Sequence, residues 1–409
     1  MPGRFPKTAD DPTVHRTRAL ITAFFMMDGF LFGNWVVRVP QIKAHVGASP
    51  GALGLALLGV SAGAVITMTI TGRFCSRFGS RPVTVVTSAV FALSIMLPPV
   101  ASSVAALGGV LLILGAGYGG LNVAINSGAV DVTRELDRPV MPMFHAAYSL
   151  GGLLGSVVGG VIAEFLSPAW HLTLIGLLGL VITLVAGTML LRLPALDVER
   201  QDADTAAETD GPKQRPARRI RVLVLVFGTI ALCSAYGEGS MADWGALHLR
   251  TDLHTGVGLA AAGYASFSVA MFVGRLSGSW LLARAGRTAV LAGGGCLAAG
   301  GMVLAALAPV LPLVLIGFVL VGLGLANQFP AAIGQAGALT GPSGVAAAST
   351  LGYAGMLAGP PVIGFLADRL GLPVALTSIA VLAGAAAVIA VAAARAEVDG
   401  REPVLSGAE

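Results

Sequence analysis

Gly54-Leu55-Ala56-Leu57-Leu58-Gly59 stands early in the chain, and Gly258-Leu259-Ala260-Ala261-Ala262-Gly263 stands 204 positions later. The same offset carries Gly151, Gly155, Gly160 and Glu164 onto Gly355, Gly359, Gly364 and Asp368. At an offset of 205, Gly117-x-Gly119-x-x-Asn122 returns as Gly322-x-Gly324-x-x-Asn327. The chain has 409 residues, so the offset is half its length and one ancestral unit fills each half. Two parallel repeats in a very apolar chain are the pattern of a carrier that rocks one bundle of helices against another.

Composition sets the solvent. Hydrophobic residues make up 55% of the chain and charged residues 11%, against about 25% charged in soluble domains. A single globular core cannot absorb that excess, because cores stop growing near roughly 250–300 residues. The apolar residues fall instead into runs of about 20, enough to cross roughly 30 Å of hydrocarbon. Twelve such runs are legible: 19–38, 52–72, 82–101, 104–128, 144–165, 170–192, 222–247, 257–280, 288–307, 311–330, 344–366 and 373–394. The expected fold is an all-α polytopic membrane protein of twelve transmembrane helices in two pseudo-symmetric six-helix bundles.

The basic pI of 9.2 follows from topology and does not point to nucleic acid. With both termini inside, 21 of the 25 Lys and Arg residues fall on the cytoplasmic side, and only Arg38, Lys43, Arg250 and Arg369 face out. That bias is the positive-inside rule and predicts a multi-pass protein of the cytoplasmic (inner) membrane with both ends in the cytoplasm. Cys75, Cys233 and Cys296 are odd in number and lie in or beside apolar runs, so no disulfide framework or metal spacing is expected. The first apolar run carries Asp28 and Asn34 and reads as helix 1, not as a cleaved signal.

The one long polar interruption starts acidic at Asp197, Glu199 and Asp202 and ends basic at Arg218, Arg219 and Arg221. It has no apolar periodicity and reads as a flexible linker. The expected organisation is a cytoplasmic tail at 1–18, an N-terminal six-helix bundle at 19–193, a cytoplasmic linker at 194–221, a C-terminal bundle at 222–394 and a cytoplasmic tail at 395–409. Glycines four residues apart, such as Gly151/Gly155/Gly159 and Gly355/Gly359, mark faces where helix backbones approach closely.

Between the second and third runs the chain reads Gly72-Arg-Phe-Cys-Ser76-Arg77-Phe-Gly79-Ser-Arg81, and Ala283-Arg284-Ala-Gly286-Arg287 follows the eighth. These segments resemble the paired G-x-x-x-D-R-x-G-R-R loops of the major facilitator superfamily, with Ser76 and Ala283 where the motif has aspartate. Gly33-Asn34-Trp35-Val-Val-Arg38-Val-Pro40-Gln41, Asn122-Val-Ala-Ile-Asn126-Ser127, Phe144-His145-Ala-Ala-Tyr148-Ser149 and Glu238-Gly-Ser-Met-Ala-Asp243-Trp244 are most similar to the fucose-permease-related branch and its little-characterised bacterial inner-membrane members. The resemblance implies alternating access, with helices 1 and 7 lining a central cavity. The acids of fucose symporters are absent, Asn122 replacing one and Val36 lying near the other, so fucose specificity is not implied.

An ionisable group in hydrocarbon costs at least ~2.5–3.5 kcal/mol, so each one is a functional candidate. Asp28, Glu238 and Asp243 are the acids that lie clearly within the runs, and all three are candidates for proton coupling, Glu238 first. Gly237 and Gly239 flank Glu238 and lead us to expect a broken helix there, since each glycine weakens a helix by about 1 kcal/mol relative to alanine. The alternatives are structural: Asp243 paired with Arg38, or Glu238 bonded to a neighbouring helix. Asn122 and Asn126 share one face of helix 4 and are answered by Asn327 and Gln328, an amide set for holding hydroxyls and carbonyls or for tying helices together. Asn34, Trp35, Arg38, Trp244 and Tyr353 complete the expected substrate contacts, with membrane anchoring the other reading of the tryptophans. Arg77, Arg284, His145, Tyr148 and Arg275 are expected at gates and turns.

The functional expectation is a secondary transporter of a small solute, proton-coupled, monomeric and without cofactor or metal. Its partners would be the solute, protons and lipid, not nucleic acid. A proton-antiport efflux pump of drugs or metabolites is the alternative, although Gly155-Ser156-Val-Val-Gly159-Gly160 lacks the proline of the antiporter motif. A sensor on the same scaffold is a further one. The chain is not expected to be an enzyme, because it has no hydrolase constellation, and the lack of a phosphate-cradling loop argues against ATP-driven transport.

Overall fold

The computed structural model describes residues 11–48, 50–198, 217–255 and 257–399. Six helices fill the first half: α1 Pro12–His45, α2 Pro50–Phe78, α3 Ser80–Ser94, α4 Val104–Leu136, α5 Met141–Phe165 and α6 Pro168–Arg192. The second half holds α7 Arg218–Thr251, α8 Val257–Leu307, α9 Leu311–Leu325, α10 Gln328–Thr340, α11 Pro342–Leu370 and α12 Leu372–Asp399. Local chemistry starts several of them. The Asp11 carboxylate accepts from the Thr13 amide at 2.7 Å, and the Ser103 and Ser167 hydroxyls accept from Ala106 and Trp170. Each cap satisfies an amide that has no partner inside the helix.

Among the described residues, eleven stretches are long and apolar enough to cross a bilayer. One of them, Gly263–Leu307, has 45 residues and would be about 68 Å long as a helix, twice the hydrocarbon thickness. It divides at Gly286, whose φ of 77° and ψ of 163° lie outside helical space. Gly79, in the equivalent loop between α2 and α3, has φ 84° and ψ 157°. This backbone conformation is essentially restricted to glycine, so the two loop motifs share a geometry as well as a sequence. With α8 counted as two crossings and α9 with α10 as one, the helices give the twelve crossings read from the sequence.

The chain forms two compact units, one built on residues 1–216 with 340–346 and the other on 217–339 with 347–409. In the first, α1 packs on α5, α2 on α4, and α3 on both α4 and α6. A Cβ added at Gly151 would lie 2.0 Å from the Met26 carbonyl oxygen, and one at Gly155 would lie 2.3 Å from that of Phe30. In the second unit, a Cβ at Gly355 would meet the Leu232 carbonyl at 2.2 Å and one at Gly359 that of Tyr236 at 3.4 Å. The glycines are 204 positions apart and their partners 206, so α1 on α5 and α7 on α11 dock in the same register. The core of the second unit gathers Met241, Leu249, Phe267, Met302, Phe318, Val321, Leu376 and Ile379.

The start of the polar connection, expected to be flexible, is held on the first unit. Arg81 donates to the carbonyls of Leu193 and Pro194 at 2.9 and 3.0 Å, and the Val198 amide donates to Glu135 at 3.1 Å. Leu196 is buried between those anchors. Residues 199–216 of the expected linker, and most of both expected tails, lie outside the described residues.

Candidate transport site

In the first unit, α4 presents Tyr118, Asn122 and Asn126 at i, i+4 and i+8, hence on one face. Helix α5 answers with His145 and Tyr148. The Tyr118 and Tyr148 hydroxyls are 2.8 Å apart, and His145 Nε2 lies 3.1 Å from Asn126 Oδ1. Asn126 Nδ2 donates to the Asn122 carbonyl at 2.8 Å, so its Oδ1 is the acceptor and His145 Nε2 carries the proton. Helix α1 covers this file with Phe25, Asp28 and Phe32, spaced i, i+3 and i+7. Phe32 stacks on Tyr118 with ring centroids 4.9 Å apart, while Phe25 stacks on Phe144 at 5.5 Å and meets the edge of His145 at 5.3 Å.

Asp28 sits between those two phenylalanines on the face of α1. It is fully buried, and neither carboxyl oxygen has a hydrogen-bond partner. An unpaired carboxylate in such a place carries a cost of several kcal/mol, roughly, that a bound proton removes.

Farther along α1, Asn34, Trp35 and Arg38 take up positions unlike those expected of substrate contacts. Arg38 Nε donates to His171 Nδ1 at 2.6 Å, and its terminal nitrogens donate to Gln41 and to the carbonyl of Leu166, the latter at 2.7 Å. Asn34 Nδ2 donates to the Phe30 carbonyl at 2.8 Å while its Oδ1 accepts from His171 Nε2 at 2.9 Å. Arg38, Asn34 and His171 are each fully buried, and Trp35 lies in the core. These groups bond one another and seat α1 against the start of α6. His171 was not singled out in the sequence, although it is the sole ionisable residue between Pro168 and Leu191.

In the second unit, α7 is continuous from Arg218 to Thr251, and the break expected beside Glu238 is not there. The space left by Gly237 is filled by Leu325 and Ile379, and that left by Gly239 by Met356. The interruption falls instead between α9 and α10, at Ala326 and Asn327. Arg275, on α8, reaches this break and the acid together: Nε lies 3.4 Å from the Ala326 carbonyl, and one terminal nitrogen lies 3.2 and 3.0 Å from the two Glu238 oxygens. Glu238 thus has a cationic partner from a neighbouring helix. Asn327 Nδ2 donates to the Gly274 carbonyl at 2.9 Å and Gln328 Nε2 to that of Leu291 at 3.3 Å. The side-chain oxygens of both amides are buried and have no partner.

The remaining expected residues scatter. Trp244 packs against the core of the second unit with its ring 3.6 Å from the Cβ position of Gly364. Tyr353 is half-buried on α11. Arg77 and Arg284 are exposed and lie over the rings of Phe78 and Trp280, a matched pair at the ends of α2 and the first part of α8. The side chain of Asp243 lies outside the described residues.

Comparison with known proteins agrees with this architecture. The family model described as Major Facilitator Superfamily matches residues 19–307. An uncharacterized MFS-type transporter of Yersinia pestis is 34% identical over 388 residues, covering 93% of this chain and 97% of its own. The uncharacterized transporter y4wD of Sinorhizobium fredii is 33% identical over 379 residues, covering 90% and 96%. Among solved structures, the E. coli fucose:proton symporter FucP superposes with a TM-score of 0.72 at 19% identity, covering 95% of this chain and 99% of its own. With its helical repeats, paired loop glycines and near full-length relatives, the chain is a member of the Major Facilitator Superfamily of membrane transporters.

Proposed function

We propose that this transporter couples movement of a small, uncharged polar solute to protons, and that Asp28 is the group that takes up and returns the proton. The carrying observation is the pair of unpartnered, fully buried oxygens of Asp28, set against Glu238, whose charge Arg275 balances. This reverses the order expected from sequence. The Tyr118–Tyr148 hydroxyl pair, the Phe32–Tyr118 stack and the Asn122 and Asn126 amides supply a flat aromatic face with neutral donors and acceptors beside that acid. Rings and amides of this kind hold hydroxylated solutes without demanding charge. Because Glu238 and Arg275 cancel, nothing in their pairing calls for an ionic solute. The fold likeness to a fucose:proton symporter supports proton coupling as a class of mechanism. Both termini are taken as cytoplasmic on the positive-inside count.

The test is purified protein in liposomes loaded with a trapped pH dye, challenged with a panel of sugars, polyols and amides. A solute gradient that drives a lumenal pH change in protein-containing vesicles alone supports the reading. Solute entry with no accompanying pH change rules out proton coupling, and no entry for any solute favours a sensor on this scaffold.

A further inference from the structure

His248 lies in the last turn of α7, is 1% exposed, and presents both ring nitrogens to acceptors. Nδ1 lies 2.8 Å from Asp252 Oδ2, and Nε2 lies 3.1 Å from the carbonyl oxygen of Ala305 in the last turn of α8. A carbonyl only accepts, and so does an ionised carboxylate. Neutral imidazole has one N–H and satisfies one of these partners, whereas imidazolium satisfies both. Among the described side chains, the other charges near this end of α7 are exposed. Residues 257–274, 288–367 and 372–394 contain no Asp, Glu, Lys, Arg or His, and Asp368 and Arg369 at the end of α11 are exposed, Arg369 lying over the ring of Phe365. On α7 and just beyond it, Arg250 and His254 are exposed and neither bonds to His248. Thr251 donates to the same Asp252 oxygen at 3.2 Å.

His171 of the first unit is arranged the opposite way. Its Nδ1 accepts from Arg38 and its Nε2 donates to Asn34, which only a neutral ring permits.

We propose that His248 with Asp252 is a proton-binding site separate from Asp28. When the proton is bound, the ring ties the last turn of α7 to the end of α8. Loss of the proton frees one of the two contacts and loosens that end of α7. The side of the membrane that this site reads rests on the topology taken under Proposed function, which makes it the outer face. The tie itself does not depend on that reading.

The test uses the full-length protein with 15N-labelled histidine in detergent micelles, the ring signals being assigned with His248→Gln and His171→Gln. At about pH 7 the account expects an imidazolium pattern for His248 and a neutral, Nε2-protonated pattern for His171. It also expects Asp252→Asn to turn the His248 signal neutral. A neutral His248 in the parent protein overturns the proposal. A spin label at Arg250→Cys, in a cysteine-free background, reads the release. The label should be immobilised at about pH 6 and mobile at about pH 9, and mobile at both in His248→Gln or, should that variant not fold, in Asp252→Asn. The same transition should persist in Asp28→Asn, which separates this site from the proposed carrier acid. A label whose mobility is the same at both pH values, or a transition lost in Asp28→Asn, overturns it.

Discussion

A single terminal nitrogen of Arg275 on α8 lies 3.0 and 3.2 Å from the two oxygens of Glu238 on α7, while Nε of the same side chain points to the carbonyl that α9 leaves open at Ala326. One guanidinium therefore holds three elements of the second unit together. Removing one member of a buried ion pair strands the other, typically at about 3–5 kcal/mol; with the Glu238 side chain 29% exposed, the lower end applies. Arg275→Met should lower stability by about 3 kcal/mol, and adding Glu238→Gln should recover most of it. Thermal unfolding of the purified variants measures both. Equal loss in the single and double variants would mean the pair is not coupled.

The Arg38–His171–Asn34 cluster predicts a defect in folding, not in solute affinity. Lysine at position 38 keeps the charge but loses the forked donors that reach His171 and Leu166 together. Arg38→Lys should cost about 2 kcal/mol in thermal unfolding, the usual price of leaving a buried acceptor unsatisfied. Half-saturation for any solute found should stay within about twofold of the parent, since affinity is logarithmic in free energy.

Glycine at 79 and 286 is required by backbone conformation. Gly79→Ala and Gly286→Ala should each lower stability by about 1–3 kcal/mol, although the Cβ at 286 would meet no atom within 4 Å. Equal melting temperatures for parent and Gly286→Ala would show that the turn tolerates another conformation.

Glycines on α5 should divide sharply by face. At Gly151 a Cβ would stand 2.0 Å from a backbone oxygen of α1, whereas at Gly160 it would meet nothing. Gly151→Ala should therefore force α1 and α5 apart and reduce folded yield, and Gly160→Ala should be neutral or stabilise by up to about 1 kcal/mol. Detergent-solubilised yield and unfolding temperature separate the two.

The 204-residue repeat was readable because the glycines that carry it serve main-chain approach, which depends on local spacing alone. Gly151 and Gly355 dock on α1 and α7 in one register for that reason. The kinked loop was readable from the second copy of its motif, since Gly79 and Gly286 adopt nearly one backbone geometry. Glycines 237 and 239 misled, because a missing side chain looks the same in sequence whether it loosens a turn or admits Leu325 and Met356. The true interruption at Ala326 was announced by Pro330, which has no N–H to offer the carbonyl four residues earlier, a signal the flanking glycines of Glu238 drew attention away from. Long-range partners were hidden for another reason. Arg38 and His171 are 133 positions apart, Glu238 and Arg275 are 37, and no periodicity links them. Burial of Asn34 and Trp35 likewise follows from what packs on α1, which the apolar pattern of α1 alone does not reveal.

The role given to Asp28 is tested most directly by comparing two fluxes through Asp28→Asn in the same liposomes. Solute-for-solute exchange needs no net proton movement, whereas uptake against a gradient needs the acid. The account predicts that exchange continues near the parent rate while proton-driven accumulation and the lumenal pH signal vanish. Accumulation that survives in Asp28→Asn would contradict it.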